Sequence, residues 1–200
     1  MRTFIDISSD KIGIYWLGEP IFLEKTDVDI KIGEKLVELD RKFGFDDILV
    51  LNGPWGFTNL RVWSLALNLL KTLKNDSINF CTISKPELYN LFYSRGLLPR
   101  YWILYIGQKS NVWLWDTEEN KLVKMIKKAE IEDIKKEYGE LYLDQVYDKE
   151  YFWKNKDQIA YTFDNWELIL NWDKTFNREE IAVNNVDKID ANYMIEPNVS

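Results

Sequence analysis

Histidine is absent from this 200-residue chain. That gap removes a Ser-His-Asp triad, a histidine-ligated zinc and an imidazole general base from the chemistry available. Cysteine occurs once, as Cys81. No internal disulfide can form, which fits a reducing compartment, and the apolar run around Cys81 points to a buried thiol rather than a nucleophile. Positive charge is outnumbered, with 26 Lys and Arg against 33 Asp and Glu, a net of −7. Such a chain is not expected to hold nucleic acid alone by neutralising phosphates. No window reaches the roughly 20 apolar residues of a membrane span, and Met1–Asp6 lacks a signal-peptide core. A cytoplasmic protein without a membrane segment is the expectation. What is plentiful is apolar surface: 46% hydrophobic and 15% aromatic residues, enough to fill one compact domain or two small lobes.

The run Leu49-Val50-Leu51 ends in Asn52-Gly53-Pro54-Trp55-Gly56-Phe57-Thr58 and then opens an apolar helix. This reads as strand, tight turn and helix start, with Gly53 and Gly56 free to take unusual backbone angles, Pro54 ending the strand and Thr58 as N-cap. Bare amides would then face whatever lies in front of the loop. A Walker A loop needs Lys followed by Ser or Thr at the helix start, whereas Asn59-Leu60-Arg61 follow here, and the glycine spacing excludes a dinucleotide fingerprint.

Around this loop the pattern predicts strands at Thr3–Ile7, Ile12–Leu17 and Ile21–Lys25. A helix from about Ile30 to Phe43 follows, closed by Gly44, with Ile32, Leu36, Leu39 and Phe43 as its buried stripe. Then come a strand at Ile48–Leu51, a helix from Asn59 to about Lys74, a strand at Ile78–Ile83 and a short helix at Pro86–Phe92. The second half predicts a hairpin of Tyr101–Ile106 and Val112–Trp115, a strand at Leu122–Ile126 and a helix from Glu130 to Tyr138. From Tyr142 to Asp173 no period is readable. Three strands in a meander, then helix, strand, helix, strand, imply parallel pairing across right-handed crossovers. The helix after the loop carries polar Ser64, Asn68, Lys71 and Thr72 on one side only, leaving an apolar arc of roughly 220°. One half of the arc holds Val62, Leu65, Ala66, Leu69 and Leu73; the other holds Leu60, Trp63, Leu67 and Leu70. A sheet needs only one half, taken here to be the first, so the second wants another cover.

The loop resembles the Gly-Pro-Gly-Ser-Phe-Thr-Gly-Leu-Arg signature of the TsaB (YeaZ-like) family of tRNA threonylcarbamoyladenosine biosynthesis proteins. Gly53, Pro54, Phe57, Thr58, Leu60 and Arg61 match, while Trp55, Gly56 and Asn59 depart. The tail Asp190–Val199 is similar to the family's Pro-x-Tyr-(apolar)-x-x-Pro ending, with Ala191 in place of the first proline. The resemblance implies an α/β protein of actin-like ATPase (ASKHA, ribonuclease-H-like) fold in two lobes, here divided as 1–97 and 98–200, the second smaller and carrying the tail. It further implies a subunit without its own catalysis. Such a subunit pairs through its first-lobe helices with a TsaD-like catalyst, which binds metal through histidines. A TsaE-like ATPase assists, tRNA is met through the complex, and ATP is used by the complex rather than by this chain, which needs no cofactor. The expected partner interface is Trp63, Leu67 and Leu70, supported by Val37.

Other readings stand beside it. Asp6 and Ser8 keep part of the family's Asp-Thr-Ser and would either cap a turn or contact a nucleotide. A degenerate actin-like kinase would bind ATP at Asp6 and the Gly53–Thr58 loop, and a self-associating scaffold would form a homodimer through the helix patch. Asp6, Asp46, Asp47 and Asp116 are the carboxylates a two-metal nuclease would need to converge. Asp144, Asp148 and Glu150 read as a solvated acidic loop. The hairpin aromatics Tyr101, Trp102, Tyr105, Trp113 and Trp115 read as core sooner than as a base-stacking platform. Lys121, Lys124, Lys127 and Lys128 read as a mixed, solvated surface, and Arg61 as a tie that pairs with a carbonyl or carboxylate of the loop.

Overall fold

The apolar runs of the first half zip into one sheet, with the central runs buried on both faces and the edge run Ile21–Leu23 leaving Phe22 exposed. The structure, a computed structural model, describes residues 2–8, 12–15, 21–23, 28–54, 56–108, 110–144, 161–164, 167–170, 174–176, 181 and 184–194. The expected turns at Ser9–Lys11 and Gly18–Pro20, the acids Asp148 and Glu150, the tail beyond Met194 and the Phe57 side chain lie outside the described residues. Strands β1 (Arg2–Asp6), β2 (Ile12–Tyr15) and β3 (Ile21–Leu23) form the meander. Helix α1 (Val28–Phe43), strand β4 (Asp47–Leu51), helix α2 (Phe57–Leu73) and strand β5 (Asn79–Ile83) follow as expected. β2 runs antiparallel to β1, and β1, β4 and β5 run parallel. Ile48, Leu49, Val50 and Leu51 of β4 are all buried, the continuous apolar run of a central parallel strand. Gly44 ends α1 at φ +69°, its amide donating to the Asp40 carbonyl at 2.7 Å. That is the left-handed stop expected of it.

After helix α3 (Lys85–Ser94) a second sheet is built from β6 (Tyr101–Leu104), β7 (Asn111–Asp116) and β8 (Lys121–Lys127). Helix α4 (Ile131–Tyr138) and strand β9 (Leu141–Leu143) complete it. Its order is β8-β7-β6-β9, with β6 and β9 parallel. This repeats the β3-β2-β1-β4 order of the first sheet, a meander, a helix and a parallel strand, although no residue identities repeat. Trp102, Trp113 and Trp115 are buried, and the Trp102 ring lies 4.4 Å from that of Tyr89 and 6.4 Å from that of Trp115. The hairpin aromatics are therefore core.

Within and just beyond the stretch that showed no period, β10 (Tyr161–Asp164), β11 (Glu167–Leu170) and β12 (Lys174–Phe176) form an antiparallel sheet. Strands of three or four residues offer too few alternations to read. A last strand, β13 (Asn184–Val186), adds antiparallel to β5. This corrects the expected division at 97/98. The compact units are 1–85 with 160–200, and 86–159, because the tail returns to the first sheet instead of finishing the second unit. Among the described residues no helix is long and apolar enough to cross a membrane.

Candidate docking face and motif loop

The apolar surplus of α2 is real, but the face assigned to a partner is the wrong one. Trp63 and Leu67 are 0% exposed and Leu70 is 4% exposed, with Leu60 sealed beside them. They are the core half. The bare half is the other: Leu65, Leu69 and Leu73 are 70%, 54% and 64% exposed. Most of the polar side does not face water, although Thr72 is exposed. Ser64 is buried. Asn68 bonds both ways to the peptide of Ile189, donating from Nδ2 to its carbonyl at 2.9 Å and accepting its amide at 2.8 Å. Lys71 Nζ donates to the Asp187 carbonyl at 2.9 Å. Asn68 and Lys71 therefore serve the chain's own tail, and the outward direction is turned toward the leucine row. Val37 is half-buried and lines an open hollow of about 630 Å³ on α1 with Gly33, Glu34, Glu38, Arg41 and Lys42. Lys74, at the end of α2, bonds Asp40 of α1 at 2.8 Å. On a helix of 3.6 residues per turn, Asp40, Gly33 and Val37 fall toward one side. The Lys74–Asp40 bond thus ties that side of α1 to the end of α2.

The motif loop is pinned by its own chain. The Asn52 amide donates to the Ile83 carbonyl at 3.1 Å, and the Gly53 carbonyl accepts from the Lys85 amide at 2.7 Å. The Asn52 carbonyl accepts from Asn192 at 3.3 Å, and Asn52 Nδ2 donates to the Asp190 carbonyl at 3.4 Å. Gly53 takes φ +132°, and a Cβ there would overlap the Asn192 carbonyl oxygen. Glycine is thus required twice over, by angle and by space. Pro54 is buried and follows a cis peptide. Thr58 is not the N-cap: α2 starts at Phe57 with Gly56 capping and no side-chain cap bond, so Thr58 is a helical residue, and an exposed one. Arg61 is exposed and forms no hydrogen bond or ion pair among the described residues. Its charge sits close enough to the Tyr193 phenol to favour the ionised form, although burial, the larger effect, pushes that phenol up. The two stretches that carried the resemblance therefore meet in space.

At the carboxyl ends of β1 and β5, Asp6, Ser8, Ser84 and Lys85 are buried. Asp6 Oδ1 accepts from the Ser8 amide at 2.8 Å and its hydroxyl at 2.9 Å, the geometry of turn capping. Ser84 and Lys85 escaped notice because a buried lysine has no sequence signature of its own. Among the described residues no three acidic or sulfur side chains gather as for a metal. Asp144 is not solvated, as expected of it, but 0% exposed. It accepts from the Tyr89 hydroxyl at 2.7 Å and the Tyr105 amide at 3.3 Å, because it closes β9 beside β6. Lys124 pairs with Glu137 at 3.0 Å and Lys121 with Glu119, a mixed surface.

Asp116 supplies a pH handle on the second unit. Burial pulls its carboxyl up, but bonds from Arg100 and from the amides of Glu118 and Glu119 outweigh this and hold it below the usual range. Arg100 reaches it at 2.7 Å. A depressed carboxyl contributes stability above its unfolded pKa, about 4, and loses it as pH falls through and below that value. Asp116→Asn is expected to cost about 1–2 kcal/mol at pH 7, discounted for the partial exposure of Arg100. Denaturation midpoints of variant and parent should draw together as pH falls below the unfolded value and through the depressed folded one.

Among solved structures the chain is similar to YeaZ from Pseudomonas aeruginosa, with a TM-score of 0.37 and 11% identity over 62% of this chain and 63% of that one. It is also similar to a protein described as resembling peptidase YeaZ from Pseudomonas aeruginosa, with a TM-score of 0.36 and 13% identity over 62% of each chain. The likeness is partial. The chain spans a little under two thirds of the length of either structure. No family profile matches it, and no curated protein does.

Proposed function

We propose that this chain is a TsaB-like, non-catalytic subunit of actin-like fold, which docks a related TsaD-like catalytic subunit of the tRNA threonylcarbamoyladenosine-forming machinery. The observation that carries the reading is the bare row Leu65, Leu69 and Leu73 on α2, with the open strip of Gly33 and Val37 on α1 as its supporting surface. Burying each leucine on a partner is worth roughly 1.5–3 kcal/mol, and leaving such a row in water has no folding advantage. The matched residues Gly53, Pro54, Leu60 and Arg61, and the strand order shared by the two units, support the family and the fold. In this reading ATP, the TsaE-like ATPase and tRNA belong to the assembly, and this chain contributes surface alone.

Leu65→Asp with Leu69→Asp tests the face. Exposed substitutions of this kind move stability within about 1 kcal/mol, so the melting temperature should hold while co-purification with a TsaD-like subunit is lost. Retained binding by the folded variant would remove the face from the proposal. One observation favours a second copy as occupant when no partner is present. Glu34 and Arg41 lie on the same outer side of α1, about two turns apart, and neither has an ion pair among the described residues. An antiparallel α1–α1 contact about a twofold axis near Val37 would satisfy both twice.

A further inference from the structure

The tail is held mostly through its backbone. β13 adds to the outer edge of β5, pairing Asn184 with Thr82 and Val186 with Phe80. Beyond it, Lys71 grips the Asp187 carbonyl, Asn68 pairs with both backbone groups of Ile189, and Asn52 binds the backbone of Asp190 and Asn192. Asp187, Lys188 and Asp190 project into solvent, whereas Ile189 is 1% exposed. The groove between the β5 edge, α2 and the motif loop thus recognises chiefly an extended backbone, together with one aliphatic side chain and the Asn185 side-chain oxygen, which accepts from Cys81 Sγ at 3.0 Å. This is the chemistry of strand addition, in which main-chain bonds supply affinity and one pocket supplies selection.

We propose that this groove is a strand-acceptor site, filled in cis in the single chain and open to residues 184–194 of a second copy in exchange. The contacts made in trans would be the same ones, so the exchange costs association entropy and little else. The occupant is assigned to a second copy because its segment is the sequence whose fit the structure displays. This holds whichever partner the leucine row takes.

The test uses the full-length Ile189→Asp chain, whose own tail no longer seats, and a fluorescent peptide of residues 184–194. Saturable binding should be roughly tenfold or more tighter than to the parent chain, because apparent affinity falls with the fraction of grooves already closed. Adding Asn68→Ala to Ile189→Asp should abolish it. A folded Ile189→Asp chain that takes no peptide overturns the proposal. So does equal binding by the same peptide carrying Ile189→Asp, or by the Asn68→Ala double variant. Should Ile189→Asp fail to fold, two differently tagged parent chains decide: tag exchange after mixing at high concentration supports the site, and none overturns it.

Discussion

Gly53→Ala is expected to destabilise the first unit by about 2–5 kcal/mol, as backbone strain and a forced overlap act together. The angle, φ +132°, is one that side-chain-bearing residues rarely adopt, and the new methyl would meet the Asn192 carbonyl oxygen, a backbone atom that cannot swing aside. Relief requires the tail to lift, which breaks the Asn192–Asn52 bond. Two readouts should therefore move together: the urea midpoint falls, and the Asn192 amide exchanges faster. Gly44→Ala is the control. Gly44 has φ +69° with nothing near its Cβ position, so only strain of about 1–2 kcal/mol applies. If the two variants lose stability equally, the close approach of tail to loop contributes nothing.

The first sheet was legible in the sequence because its strands and helices differ in period and are separated by turn residues. Gly44, the β4 run and the order of elements as far as β5 all carry local signals. The second unit was legible as a hairpin and a helix, but the return of the tail to β5 was not. β13 is three residues long, with its asparagines exposed, and a strand added at an edge by backbone bonds leaves no hydrophobic trace. The same hidden partner explains the error on α2. Its wheel held two apolar halves and one polar side, and nothing local showed which half the sheet covers. Asn68 and Lys71 in fact satisfy carbonyls of the tail, a distant segment that no local pattern could bring to mind. Lys85 and Asp144 were missed for a related reason: charged residues are rarely fully buried, so sequence reasoning places them outside.

Trp63→Ala should show which half of α2 is core more decisively than any binding measurement. Trp63 is 0% exposed among Leu60, Leu67 and Leu70, and truncating so large a buried ring costs about 3–5 kcal/mol. Against the 5–15 kcal/mol that holds a typical domain, that is enough to lower the melting temperature sharply or to leave the first unit unfolded. The indole Nε1 has no hydrogen-bond partner among the described residues. Trp63→Phe therefore removes volume without stranding a partner, and its cost should be the smaller by well over half. Leu69→Ala, on the bare side at 54% exposure, should change the urea midpoint by no more than about 1 kcal/mol equivalent. The ranking Trp63→Ala, then Trp63→Phe, then Leu69→Ala follows from which side of the helix meets the sheet. An inverted ranking, with Leu69→Ala the most damaging, would mean that the leucine row is the core and that Trp63 is free to meet a partner.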